Sequence, residues 1–139
     1  MSEISLNDFS RRFLSLVMNN TVIPKKPLDL HILLFSAALA FQPNVEYTEK
    51  AVNQQLQHWC QIFGKNMGFD HVSLRRALVD EGYLHRDSSG TIYTLDESAA
   101  PYQFDPQINS LDLEALLRQA NEEKERRKQE FLNRAKGNI

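Results

Sequence analysis

Apolar residues recur at helical spacing along most of this chain. Leu6, Phe9, Phe13, Leu16 and Val17 share one face of a helix predicted over 5–18, with Arg11 and Arg12 turned mostly to the other side. Asn19-Asn20-Thr21 supplies turn-forming residues. Pro24-Lys25-Lys26-Pro27 then breaks the pattern, because each proline holds its predecessor extended. Residues 28–41 put Leu28, Ile32, Phe35 and Leu39 on one stripe, with Leu33, Ala37 and Phe41 beside it. A helix that is apolar nearly all round belongs at the centre of a core.

Thr48 can cap the next helix, with Glu49 in its first turn at the positive end of the helix dipole. Val52, Leu56, Trp59 and Phe63 follow at helical spacing, and Gly64 is the predicted terminator. Asp70 caps a third helix, His71 to about Glu81, with Leu74, Ala77 and Leu78 facing inward and Gly82 as its stop. The period then changes. Tyr83-Leu84-His85-Arg86 and Thr91-Ile92-Tyr93-Thr94-Leu95 flank the polar turn Asp87-Ser88-Ser89-Gly90, which reads as a hairpin. Residues 96–109 carry Pro101 and Pro106 and read as irregular. Ser110 is the predicted cap of a last helix running to about Ala135, with Leu113, Leu116, Leu117 and Ala120 as its docking face.

Three helices followed by a hairpin is the order of a winged helix, whose third helix is the usual groove reader. The expected fold class is therefore mostly α with a small β-hairpin: a winged-helix-like domain flanked by N- and C-terminal helices. The divisions are residues 1–22, a helix packing on the core; 23–95, the winged-helix-like domain; and 96–139, a linker and an amphipathic C-terminal helix.

Size and composition fit one globular domain: 139 residues, 42% hydrophobic and 24% charged. Cys60 is the single cysteine, so no internal disulfide can form. The N-terminal stretch holds Glu3 and Asp8 and lacks an apolar signal core. The longest apolar stretch, Leu30 to Phe41, is too short to span a bilayer. The expectation is a cytoplasmic protein with no membrane association.

Charge bears on nucleic-acid binding. The chain carries a net −2. Over residues 21–95, Lys25, Lys26, Lys50, Lys65, Arg75, Arg76 and Arg86 balance Asp29, Glu46, Glu49, Asp70, Asp80, Glu81 and Asp87. A neutral domain contacts DNA only where its cations converge. Arg75, Arg76, Arg86 and Lys50 are the candidates, since guanidiniums on the third helix and hairpin can grip phosphate or a base edge. Each has a structural alternative. Arg76 can pair with Asp80 four residues on, in the weaker base-before-acid order, for about 0.2–0.5 kcal/mol. Arg86 can pair with Asp87 or Glu81. Thr48, Asn53, Asp70, Asp80, Gly82 and Tyr93 are assigned structural roles: two caps, a hydrogen-bonding anchor, an ion-pair partner, a helix stop, and a tyrosine folding the hairpin onto the core.

Catalytic and metal signatures are missing from the sequence. His31, His58, His71 and His85 lie on four different elements, and His58 and Cys60 point about 200° apart on a helix. No C-x-x-C, H-E-x-x-H, G-x-S-x-G or phosphate-binding glycine loop occurs. No catalytic residue, metal or cofactor is assigned. In the last helix, Glu122-Arg126 and Glu123-Arg127 stand four apart in the favourable order, and Phe131 and Leu132 follow the charged block.

Several of these segments together resemble a family. Tyr47-Thr48-Glu49-Lys50-Ala51-Val52-Asn53, then Phe69-Asp70, then Leu74 through Arg86, then Gly90-Thr91-Ile92-Tyr93 are similar to the bacterial domain-of-unknown-function 2087 family. Its pattern runs roughly YTE-x-x-VN, D, LRR-x-LVD-x-G-x-L-x-R and G-x-x-Y, and Pro24-Lys25-Lys26 resembles its entry. The resemblance covers about residues 23–95. It implies a compact winged-helix-like domain, found alone or attached to bacterial transcription regulators, and it lends no catalytic residues. Two readings of function stand. In one, a non-catalytic regulatory module contacts DNA through the third helix and wing. In the other, the domain binds protein or a second copy of itself through its C-terminal helix and does not touch nucleic acid.

Overall fold

The computed structural model describes residues 3–137. Its class is the one read from the pattern: mostly helical, with a small hairpin-based sheet and a helix on either flank. Helix α1 (Leu6–Asn19) starts where Ser5 Oγ accepts the Asp8 amide at 3.1 Å, and buries Phe9, Phe13, Leu16 and Val17. Helix α2 (Pro27–Ala38) opens on a proline and is buried along most of its length. Two polar side chains go inside with it. Ser36 donates to the Leu33 carbonyl at 2.6 Å and accepts the Trp59 indole N–H at 3.1 Å. His31 bonds to Tyr83, as described below.

Strand β2 (Tyr47–Thr48) leads into α3 (Glu49–Trp59), where Thr48 Oγ1 accepts the Ala51 amide at 3.1 Å. Gly64 does not end this helix. The backbone continues through a widened turn at Cys60–Gly64 and a tight turn at Lys65–Met67, and stops at Gly68 in the left-handed region (φ 67°). Gly64 answers a different need. A Cβ there would lie 3.1 Å from both the Phe69 Cβ and the Trp59 ring, so the residue is small because two aromatics close over it.

Helix α4 (His71–Asp80) is capped by Asp70, which accepts the Ser73 amide at 2.8 Å, and the chain leaves it through Gly82 at φ 83°. Strands β3 (Leu84–Arg86) and β4 (Ile92–Leu95) form the expected hairpin, pairing Leu84 with Leu95 and Arg86 with Tyr93. Strand β2 adds to its other edge, pairing Tyr47 with Tyr93 and Thr48 with Ile92, so the sheet has three antiparallel strands in the order β2-β4-β3. Two residues are too few to show an alternating period, which hid β2 in the sequence.

The stretch 96–109 is more ordered than its prolines imply. Strand β5 (Gln103–Phe104) pairs in parallel with β1 (Glu3–Ile4). A short tight helix at Pro106–Ser110 then buries Ile108 completely. Ser110 belongs to that turn and does not cap the last helix. Leu111 is extended, and Asp112 takes the capping role by accepting the Ala115 amide at 3.0 Å. Helix α5 runs Leu113–Gly137. Its first turns rest on the body, with Leu113 buried and Leu116 and Leu117 packed against the core. His58 and Glu114, 2.5 Å apart, tie α3 to it. Among the described residues, no helix is long and apolar enough to cross a membrane.

Candidate functional site

The four candidate cations do not form a uniform basic face. Leu74 and Leu78 point into the core, which leaves Ser73, Arg76 and Asp80 on the exposed side of α4. Arg75 lies between. Its side chain is only 19% exposed, its guanidinium donates to Asn53 Oδ1 on α3, and it stands 3.6 Å from Glu49 Oε1. Tyr93, almost fully buried on β4, donates its hydroxyl to the same Glu49 oxygen at 3.1 Å. Burial, then the bond to Glu49, raises the Tyr93 pKa, while the charges of Arg75 and Arg86 pull it back. Glu49, Asn53, Arg75 and Tyr93 thus join α3, α4 and β4 in one knot. Asn53 is a hydrogen-bonding anchor, with α4 itself as its partner.

Arg76 and Arg86 are differently placed. Among the described residues no carboxylate comes within 4 Å of either guanidinium. The Arg76–Asp80 pair anticipated from their spacing does not form. Both ends are exposed, and the base-before-acid order gains too little to hold two long side chains together. Arg86 has lost its two expected partners to other work. Asp87 is folded into the hairpin turn, accepting the Thr91 and Ile92 amides at 2.9 and 3.1 Å. Glu81 reaches instead to His31 Nε2 at 3.5 Å. Lys50 is exposed on the first turn of α3, beside Glu49.

A second cluster was not anticipated. His31 is 5% exposed, its Nδ1 lies 2.8 Å from the Tyr83 hydroxyl, and Tyr102 closes over the imidazole with ring centres 5.7 Å apart. Burial lowers the His31 pKa, against the opposing charge of Glu81. Tyr83 is pushed well above its ordinary range, first by burial. The available signal was slight: one histidine on a helix otherwise apolar enough to be central. Beside this cluster, a half-open cavity of about 840 Å³ is walled by Phe35, Phe41, Tyr83 and Phe104, with Asp96 and Glu97 among its polar groups. Asp96 is engaged, accepting from His85 at 2.9 Å and from Ser98, which holds its carboxyl down at about 2.

Cys60 is half-buried, and burial raises its thiol to about 11, far from thiolate character at neutral pH. Among the described residues, no three His, Cys, Asp or Glu side chains gather closely enough to hold a metal ion.

The model of the family described as uncharacterized protein conserved in bacteria (DUF2087) matches residues 21–95, just over half of the chain. The chain belongs to the DUF2087 family. No curated protein and no solved structure matches it. The DUF2087 region takes in α2, α3, α4 and the three-stranded sheet, and with them the whole Glu49–Asn53–Arg75–Tyr93 knot. It leaves out α1, β5 and α5, so α5 lies outside the matched residues.

The outer half of α5 is the least satisfied part of the molecule. Every residue from Lys124 to Gly137 is exposed. Arg126 bridges Glu123 and Glu130, and Arg127 bonds Glu123 at 3.1 Å, while the Glu122–Arg126 pair expected from spacing is not made. Phe131 is 72% exposed and Leu132 41%.

Proposed function

We propose that the chain is a non-catalytic regulatory module of winged-helix type that works by docking protein along the outer half of α5. The observation that carries this reading is Phe131. It lies about five turns beyond Leu113, on the same line of the helix. That line is buried at one end and bare at the other, and a large bare aromatic on an ion-paired helix marks a contact surface. Deleting residues 124–137 tests it. The shortened chain is expected to keep its unfolding midpoint and to lose its protein complexes in sedimentation and affinity capture. Complexes that survive the deletion would overturn the reading.

A second reading, DNA contact through Arg76, Arg86 and Lys50, is favoured by the element order α2-β2-α3-α4-β3-β4 and by Arg76 and Arg86 having no carboxylate within 4 Å among the described residues. Charge weakens it, because Arg75 is spent inside the fold and Asp80 shares the exposed side of α4 with Arg76. Gel shifts at low salt decide it. DNA contact requires an affinity that falls with log salt by about 0.9 for each phosphate neutralised, and that drops when Arg76→Ala and Arg86→Ala are combined.

A further inference from the structure

We propose that the half-open cavity beside Tyr83 is a binding site for a small lipophilic organic cation, an ammonium or phosphonium that carries aromatic or alkyl groups. This goes beyond the docking reading and does not depend on it, since α5 takes no part in the cavity wall.

The volume of about 840 Å³ suits a drug-sized molecule. The walls are aromatic. Phe35 and Phe104 stack with ring centres 4.2 Å apart, and Phe41, Tyr83 and Tyr102 add three further rings. These rings are set in place by the fold itself. Phe104 is held by the pairing of β5 with β1, where it stands opposite Ile4, and the Tyr83 ring by its hydrogen bond with His31 at 2.8 Å. A wall fixed in advance loses little freedom on binding.

Charge selects the ligand. Glu3, Asp96 and Glu97 line the same cavity, and none of its lining residues is Lys, Arg or His. His85, outside the wall, bonds to Asp96 at 2.9 Å and, when protonated, offsets that one carboxylate. Among the described residues, no basic side chain comes within 4 Å of Glu3 or Glu97. A nucleotide, a phosphate ester or a fatty acid would meet like charges there and no basic side chain. A neutral apolar molecule would fill the space and gain nothing from the carboxylates. An organic cation uses both features. The ring faces attract it, the carboxylates attract it, and low-dielectric walls concentrate that field. The wall also crosses the edge of the family match. Phe35, Phe41 and Tyr83 lie within residues 21–95, whereas Asp96, Glu97, Tyr102 and Phe104 follow them, so a bound cation braces the DUF2087 region against the segment after it.

The test is titration of the full chain followed by amide NMR shifts. The probes are two cations, benzyltriethylammonium and tetraphenylphosphonium, and tetraphenylborate, which matches the second in shape and carries the opposite charge. At least one cation is expected to bind with a Kd below about 1 mM, with the largest shifts in residues 95–104, and tetraphenylborate to bind at least about tenfold more weakly than tetraphenylphosphonium. Glu97→Lys changes an exposed side chain, so it is expected to keep the unfolding midpoint and to weaken cation binding by about tenfold or more. Tetraphenylborate binding as tightly as tetraphenylphosphonium would overturn the proposal, by making the site merely apolar. So would shifts centred on the charged stretch of α5, an affinity indifferent to Glu97→Lys, or no saturation by either cation.

Discussion

The two ends of α5 each carry a large apolar residue on one line of the helix and meet opposite fates. Leu113 is 8% exposed against the body, and Phe131, on the same line, is 72% exposed. Between them the line passes through Lys124 and Arg127, so Phe131 stands alone on a charged stretch. The inner turns have α1 beneath them, and the outer turns have no neighbour among the described residues. A stripe of apolar residues is an instruction to bury, and where the fold supplies no neighbour the instruction points outside the chain. The same contrast recurs in miniature on α4. Arg75 and Arg76 are adjacent, yet the first is locked onto Asn53 and Glu49 and the second is free.

The contrast along α5 predicts the largest effect. Leu113→Ala should lower the unfolding free energy by about 2–4 kcal/mol in urea denaturation, since a buried leucine leaves a cavity. A loss below about 1 kcal/mol would mean that the inner turns are not anchored. On α4, Arg75→Ala should cost about 1–3 kcal/mol, because it strands Asn53 and Glu49, while Arg76→Ala should stay within about 0.5 kcal/mol. Equal effects of the two would erase the distinction between the knotted arginine and the free one.

A smaller effect comes from His31. Its folded pKa lies below the ordinary 6.5, so below that pH the unfolded chain takes a proton that the folded chain resists. Stability should therefore decline as pH falls through 6.5, and His31→Gln should flatten that decline; an identical slope in the variant would rule His31 out as its source. A separate loss is expected at lower pH. Asp70, Asp87 and Asp96 have folded values below 3.8, so their contribution is complete above that value and disappears as pH drops toward 2. The smallest effect belongs to the outer half of α5. Phe131→Ser should change the stability of dilute protein by less than about 0.5 kcal/mol, and a larger loss by thermal or urea unfolding would show that Phe131 packs on its own chain.

Local signals with a short reach were readable in the sequence. Thr48 and Asp70 cap as their positions require, Gly82 takes the left-handed turn, and α2 lies in the core as its all-round apolarity requires, although Leu28, Phe35 and Leu39 of its stripe are only half-buried. What escaped depends on partners far along the chain. Tyr47 becomes a strand only because β4 lies beside it, and Gly64 is small because Phe69 folds back over it. The inward turn of Arg75 depends on Asn53, twenty-two residues earlier, and His31 finds Tyr83 across fifty-two. Spacing on one helix also overstated ion pairs: Glu123–Arg127 forms, whereas Arg76–Asp80 and Glu122–Arg126 do not. At helix surfaces such pairs are worth tenths of a kilocalorie, so small competitors decide them.

Hydrogen exchange along α5 separates a helix root docked on the body from an outer half that has no neighbour in its own chain. Amides in 124–137 of the isolated chain are expected to exchange far faster than those of α2 and α4. Exchange in 124–137 as slow as in α2 would contradict the docking surface, by placing a neighbour of the same chain over Phe131.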